Sequence, residues 1–119
     1  MMGAIVDLFT VALLLPQVDR WRSLGPEVAV ENAREAGRAR GHRSTRSRAR
    51  LRRAINLVDR LSGANCYRRV LLEVACDRKA TLDPVFFGVQ NRISGERGHT
   101  WLGRDADQER RFEAVFQIA

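Results

Sequence analysis

Cys66 and His99 are the two side chains in this sequence that could act as a nucleophile and its base. A thiol and an imidazole brought together by folding form such a pair. Asn65 is a good N-cap, which makes Cys66 the first residue of a helix. Unpaired N–H groups and the positive end of the helix dipole stabilise a thiolate there. Arg68 and Arg69 add positive charge in the same turn. Cys76 falls at the other end of that helix, where the dipole opposes a thiolate, so Cys66 is the candidate nucleophile. The Cys66 backbone N–H, with Asn65 beside it, could serve as an oxyanion hole. A third group must orient the imidazole, and the nearest acids downstream are Asp105, Asp107 and Glu109. Spacing alone carries little weight here, because a free cysteine commonly serves as a small buried hydrophobe.

The elements around the pair follow from patterning. After Cys66, Val70, Leu71, Val74 and Ala75 recur at helical spacing, and the helix should end near Asp77 or Arg78. Thr81 to Pro84 reads as a turn, and Val85 to Gln90 as a short strand of β-branched and aromatic residues. Gly88 within it suggests a bulge or a close backbone approach. Asn91 to Gly98 fits a hairpin loop leading to a second strand, His99 to Leu102. Between Phe112 and Ala119 the apolar residues fit either a helix or a strand.

Upstream, Ile5, Leu8, Phe9, Ala12, Leu13 and Leu15 form a helical stripe that Pro16 should end. Gln17 to Pro26 then reads as a connector, with Trp21 as a core anchor and Arg22 solvated. Glu27 to Arg40 is weakly amphipathic, with Gly37 and Gly41 weakening its end. Gly41 to Ser47 reads as a basic loop or disordered link carrying an exposed His42. Arg48 to Leu61 is a helix with Leu51, Ala54, Ile55, Val58 and Leu61 on its apolar side and arginines opposite.

Size and charge bound the function. The 119 residues make one domain at most, and 45% apolar residues suffice for a modest core. The net charge is +7, almost all of it arginine, with Lys79 the only lysine. Arg34 to Arg53 holds nine arginines and one acid, Glu35. Such charge favours acidic partners. No helix-turn-helix, zinc-finger or RNA-recognition signature accompanies it, so nucleic acid is the weaker reading. The two cysteines have no metal-ligand spacing. On one helix they would lie roughly 15 Å apart, beyond the about 7 Å a disulfide allows, so both read as free thiols in a reducing, cytoplasmic setting. The apolar run before Pro16 is shorter than the about 20 residues of a membrane span and lacks a signal peptide's basic start.

The order of Cys66 with Arg69, Leu71 and Leu72, then Phe87-Gly88-Val89, then Gly98-His99-Thr100-Trp101-Leu102 resembles the transglutaminase-like cysteine protease superfamily. More narrowly, it is similar to the leader peptidases of lasso peptide biosynthesis, and the closing Phe112 to Phe116 segment fits their aromatic C-terminal part. The resemblance covers roughly residues 50–119. It implies an α+β fold: a helical N-terminal region with an arginine-rich link, 1–47, and a transglutaminase-like core, 48–119, in which the nucleophile at a helix N-terminus packs on a small antiparallel sheet carrying the histidine. It implies a thiol peptidase that removes the leader of a ribosomally made precursor peptide without a cofactor or metal. Cys66 would be the nucleophile, His99 the base, and a following aspartate the orienting group. The chain is too short to hold the family's winged-helix recognition domain, so a separate recognition protein and a lasso cyclase are the implied partners.

The family's histidine motif usually reads His-Ala-Trp-(Leu/Val)-Glu. Here Thr100 replaces the alanine and Gly103 the glutamate. Asp105 is then the choice for the third residue, with Asp107 in reserve. Arg48, Arg50, Arg52 and Arg53 are candidates for docking a partner, although a solvated face is their commoner role. The rival functions are an arginine-rich binding module for nucleic acid or an acidic partner, another acyl transferase on the same scaffold, and an inactive scaffold.

Overall fold

Helix α4, Cys66–Cys76, is the element the others surround. Eight of its eleven residues are buried, including Val70, Leu71, Leu72, Val74 and Cys76. A helix covered on so many sides is a central one. The computed structural model describes residues 2–89, 98–105 and 114–119. Three helices precede α4: α1, Met2–Arg22; α2, Pro26–Arg38; and α3, Thr45–Leu61. All three pack against it. A 3-10 turn, Arg78–Leu82, leads from α4 to the sheet. The strands are β1, Val85–Val89; β2, His99–Leu102; and β3, Ala114–Ile118, in the order β2-β1-β3 with both pairings antiparallel. The class is α+β, with helices first and a small antiparallel sheet after them.

The closing segment, open between helix and strand in the sequence, is a strand. It pairs with β1 from Val85↔Ile118 to Val89↔Ala114. Gly88 makes no bulge, since it faces His99 on one side and Val115 on the other in continuous register. Gln90 and the expected hairpin loop up to Arg97 lie outside the described residues, as does Asp107. Val85 and Leu102 face the helical core and Phe87 packs against it, whereas Phe86, His99 and Trp101 alternate to the other face.

Helix α1 departs from the sequence reading. It does not stop at Pro16 but runs to Arg22 with Pro16 inside. An interior proline costs about 3 kcal/mol; the burial of Val18 and Trp21 beyond it offsets that. The buried face is also not the expected stripe. It is Asp7, Val11, Val18 and Trp21, with Leu8, Leu14 and Leu15 packed beside them. Ile5, Phe9 and Leu13 are exposed. The run is apolar on two faces, so hydropathy did not distinguish the inner one. As a continuous helix, α1 is long and apolar enough to cross a membrane by length and composition, with 17% of its apolar window buried in the fold.

Two further boundaries moved. Ser44 caps α3, its hydroxyl accepting from the Ser47 N–H, so Thr45 to Ser47 belong to the helix rather than to a loop. Leu61 is exposed, unlike Leu51, Ala54 and Ile55. Gly37, read as weakening its helix, allows α2 and α4 to cross closely: a Cβ there would collide with the Val74 carbonyl.

The arginine-rich segment is a clamp on α4. Arg40 donates to the Ala75 carbonyl at 3.3 Å and Arg43 to the Cys76 carbonyl at 3.0 Å. These carbonyls belong to the last turn, where a helix lacks partners of its own and welcomes cations. Arg43 also reaches Asp7 and Ser47, and Arg48 pairs with Asp77 at 3.0 Å. Arg34, itself buried, donates to the carbonyls of Asp83, Ile118 and Ala119 and fixes the end of β3.

Candidate functional site

The start of α4 is set by three residues. Asn65 Oδ1 accepts the Arg68 N–H at 2.9 Å, the N-cap bond expected from the sequence. The Asn65 N–H in turn donates to both Asp59 oxygens, at 3.2 and 3.1 Å. Asp59 also holds the Arg68 guanidinium at 2.7 Å. Cys66 is thereby fixed as the first residue of α4, and it is a half-buried free thiol. The Asn65 side-chain oxygen is committed to capping.

Beside this helix start lies a cavity of about 210 Å³. Its wall on α4 consists of Cys66, Arg69, Val70 and Glu73, spaced three, four and seven residues on from the cysteine, one face of the helix. His99, Thr100 and Trp101 of β2 line another side, and Arg52 and Asn56 of α3 with Asp105 complete it. Cys66, His99 and Asp105 therefore all border one cavity at the β2 edge of the sheet, with the His99 ring on the sheet face it shares with Trp101. The imidazole stacks on Trp101, ring centroids 5.7 Å apart. Trp101 in turn stacks on Phe86, its cross-strand neighbour, at 5.8 Å.

Arg52 ties the charged part of the site together. Its Nε donates to both oxygens of Glu73 at 3.1 Å, and its Nη2 to Asp105 Oδ2 at 2.9 Å. Burial acts against the guanidinium's charge, but the two carboxylates outweigh it and raise the Arg52 pKa above its ordinary value. Burial pushes the Glu73 carboxyl above the usual range, and Arg52 and Arg104 offset only part of that. Cys76 is fully buried, and desolvation raises its thiol to about 11. It has neither the access nor the thiolate that attack requires.

Glu73 and Arg52 were not singled out as parts of the site in the sequence. The helical spacing from Cys66 could have identified Glu73; nothing local could have revealed Arg52, which arrives from α3. Of the four arginines considered for docking, Arg48, Arg50 and Arg52 hold Asp77, Asp7 and Glu73 within the fold, and Arg53 is exposed. A larger cavity, about 560 Å³ between α1 and α3, is lined by Ala4, Leu8, Leu57 and arginines and contains no nucleophile or general base.

Compared with protein-family models, curated proteins and solved structures, the chain has no match.

Proposed function

We propose that this chain is a cysteine peptidase that removes the leader from a ribosomally made precursor peptide, as in lasso peptide maturation. The observation that carries the reading is the shared cavity of Cys66, His99 and Asp105 at the capped start of α4. The motif resemblance supplies the substrate class. In the proposed reaction His99 takes the thiol proton and Cys66 Sγ attacks the carbonyl carbon of the leader–core bond. The tetrahedral oxyanion is stabilised by backbone N–H groups at the helix start. Its collapse breaks the C–N bond, His99 gives its proton to the leaving amine, and a thioester remains on Cys66. Water, deprotonated by His99, hydrolyses the thioester and restores the thiol. The freed amine belongs to the core peptide and is the group a separate cyclase would acylate. Asp105 orients the imidazole.

The test is cleavage of a precursor peptide in the presence of its recognition protein, followed by mass spectrometry. Cys66→Ala and His99→Ala should abolish leader release, and Cys76→Ala should leave it nearly intact if it folds. Leader release by Cys66→Ala at the wild-type rate would exclude the reading. A product carrying a new amide in place of a free carboxylate would make the chain an acyl transferase.

A further inference from the structure

Helix α1 turns a row of large apolar side chains to the outside. Met2, Ile5, Val6, Phe9 and Leu13 recur at helical spacing, and Phe9 and Leu13 are 64% and 77% exposed. A soluble fold seldom leaves such a continuous row uncovered without a use. The cavity between α1 and α3 opens beside it, at Ala4, Leu8 and Leu57, and Met2 and Val6 border a second cavity with Arg40, His42 and Arg43.

Most arginines of the chain's basic stretch are spent inside the fold, on Asp7, Glu73, Asp77 and the carbonyls of α4. Arg38 on α2 is exposed but paired with Glu31; exposed arginines without such a pair lie on α3 and continue past the stretch to Arg60. Arg46, Arg53 and Arg60 fall seven and fourteen residues along one face, with exposed Leu57 between them. Among the described residues they form no ion pair. Arg46, Arg53 and Leu57 line the cavity directly against α1. The unpaired positive charge therefore flanks the apolar ridge.

We propose that α1 and the adjoining face of α3 form a peripheral binding surface for an anionic lipid bilayer. The ridge enters the boundary between headgroups and acyl chains while the arginines meet lipid phosphates, the arrangement by which amphipathic helices lie on membranes. A second copy of the chain fits less well, because pairing ridge to ridge would bring the two cationic stripes together.

The test is co-sedimentation of the full chain with vesicles of phosphatidylcholine alone and with phosphatidylglycerol added. Binding is expected only with the anionic lipid, and at least tenfold weaker in 0.5 M salt. Phe9→Glu/Leu13→Glu and Arg46→Glu/Arg53→Glu should each weaken it tenfold or more. All four side chains are exposed, and circular dichroism verifies the fold. A Phe9→Trp variant gives an independent reading: its emission should shift to the blue on anionic vesicles and be quenched by brominated acyl chains. Absence of binding to anionic vesicles at low salt would overturn the proposal. So would binding that survives Phe9→Glu/Leu13→Glu without quenching of Phe9→Trp. Self-association or acidic-peptide binding that depends on the same residues, with no vesicle binding, would reassign the surface.

Discussion

One oxygen of Asp59 receives both Nε and Nη2 of Arg68, at 3.0 and 2.7 Å, with the carboxylate 1% and the arginine 6% exposed. The pair lies at the start of α4, the helix that the proposed nucleophile opens. Through the Asn65 N–H, the same carboxylate sets where α4 begins. Removing one member of a buried pair leaves the other charge stranded, at a cost of about 3–5 kcal/mol. Asp59→Ala should therefore lower the unfolding free energy by that order, measured by urea denaturation. This is a large share of the roughly 5–15 kcal/mol a domain possesses. Asp59→Leu/Arg68→Met should recover part of the loss, since neither charge is then stranded. A single variant within 1 kcal/mol of wild type would show that the pair is dispensable.

The two thiols should separate sharply in reactivity. Cys76 is buried and its pKa lies at about 11, so at pH 8 about one thousandth of it is thiolate. Cys66 is half-buried at the rim of a cavity. A maleimide pulse at pH 7.5 followed by peptide mapping should mark Cys66 first. In Cys66→Ala, fast labelling should disappear, and Cys76 should react only on unfolding. Equal labelling of both thiols in the folded chain would contradict the burial of α4's end.

Where the fold was legible, a local signal had one interpretation. Asn65-Cys66 announced a helix start because a capping residue and a helical apolar pattern agree there. Val85 to Val89 and His99 to Leu102 were recognisable from their β-branched and aromatic residues. Pro16 misled because proline ends most helices, and only tertiary burial of Val18 and Trp21 shows why this one continues. The arginines misled differently. A charge run normally faces water, but here Asp7, Glu73 and Asp77 are buried and demand partners. Those acids are scattered through the sequence, and only folding reveals which arginine meets which. Arg52 shows the same limit within the site, since its bond to Asp105 spans 53 residues.

Arg52 should govern how stability responds to pH. Burial raises the Glu73 carboxyl above its usual 4.5, so between that value and the raised one the folded chain holds a proton that the unfolded chain has lost. Stability from this group therefore falls as pH rises through the interval. In Arg52→Gln the offsetting cation is gone and the fall becomes larger. The variant should nearly match wild type at pH 3, where Glu73 is protonated in both states, and lose about 1–2 kcal/mol by pH 7. The figure is kept small because the Arg52 side chain is 42% exposed and partly screened. Urea midpoints at the two pH values check this, and a difference independent of pH would assign Arg52 a role apart from Glu73.

In the proposed reaction an acid orients His99, and the geometry makes Asp105 separable from a purely structural residue. Its Oδ2 is held by Arg52, while the residue lines the cavity together with His99. The ion pair is partly exposed, 42% and 38% for the two side chains, so losing it should cost no more than about 1 kcal/mol of stability. Asp105→Asn should thus fold nearly as well as wild type. If the carboxylate stabilises the imidazolium formed during attack, turnover should nevertheless fall at least tenfold. The acidic limb of the rate profile, where the imidazole becomes protonated and can no longer take the thiol proton, should also move to lower pH, because the cationic ring loses its counter-charge. Asp107→Asn should change neither. Arg52→Gln, which releases Asp105 without removing its charge, should preserve the position of the imidazole limb even where it lowers the rate. An unchanged profile in Asp105→Asn would transfer the orienting role to another group.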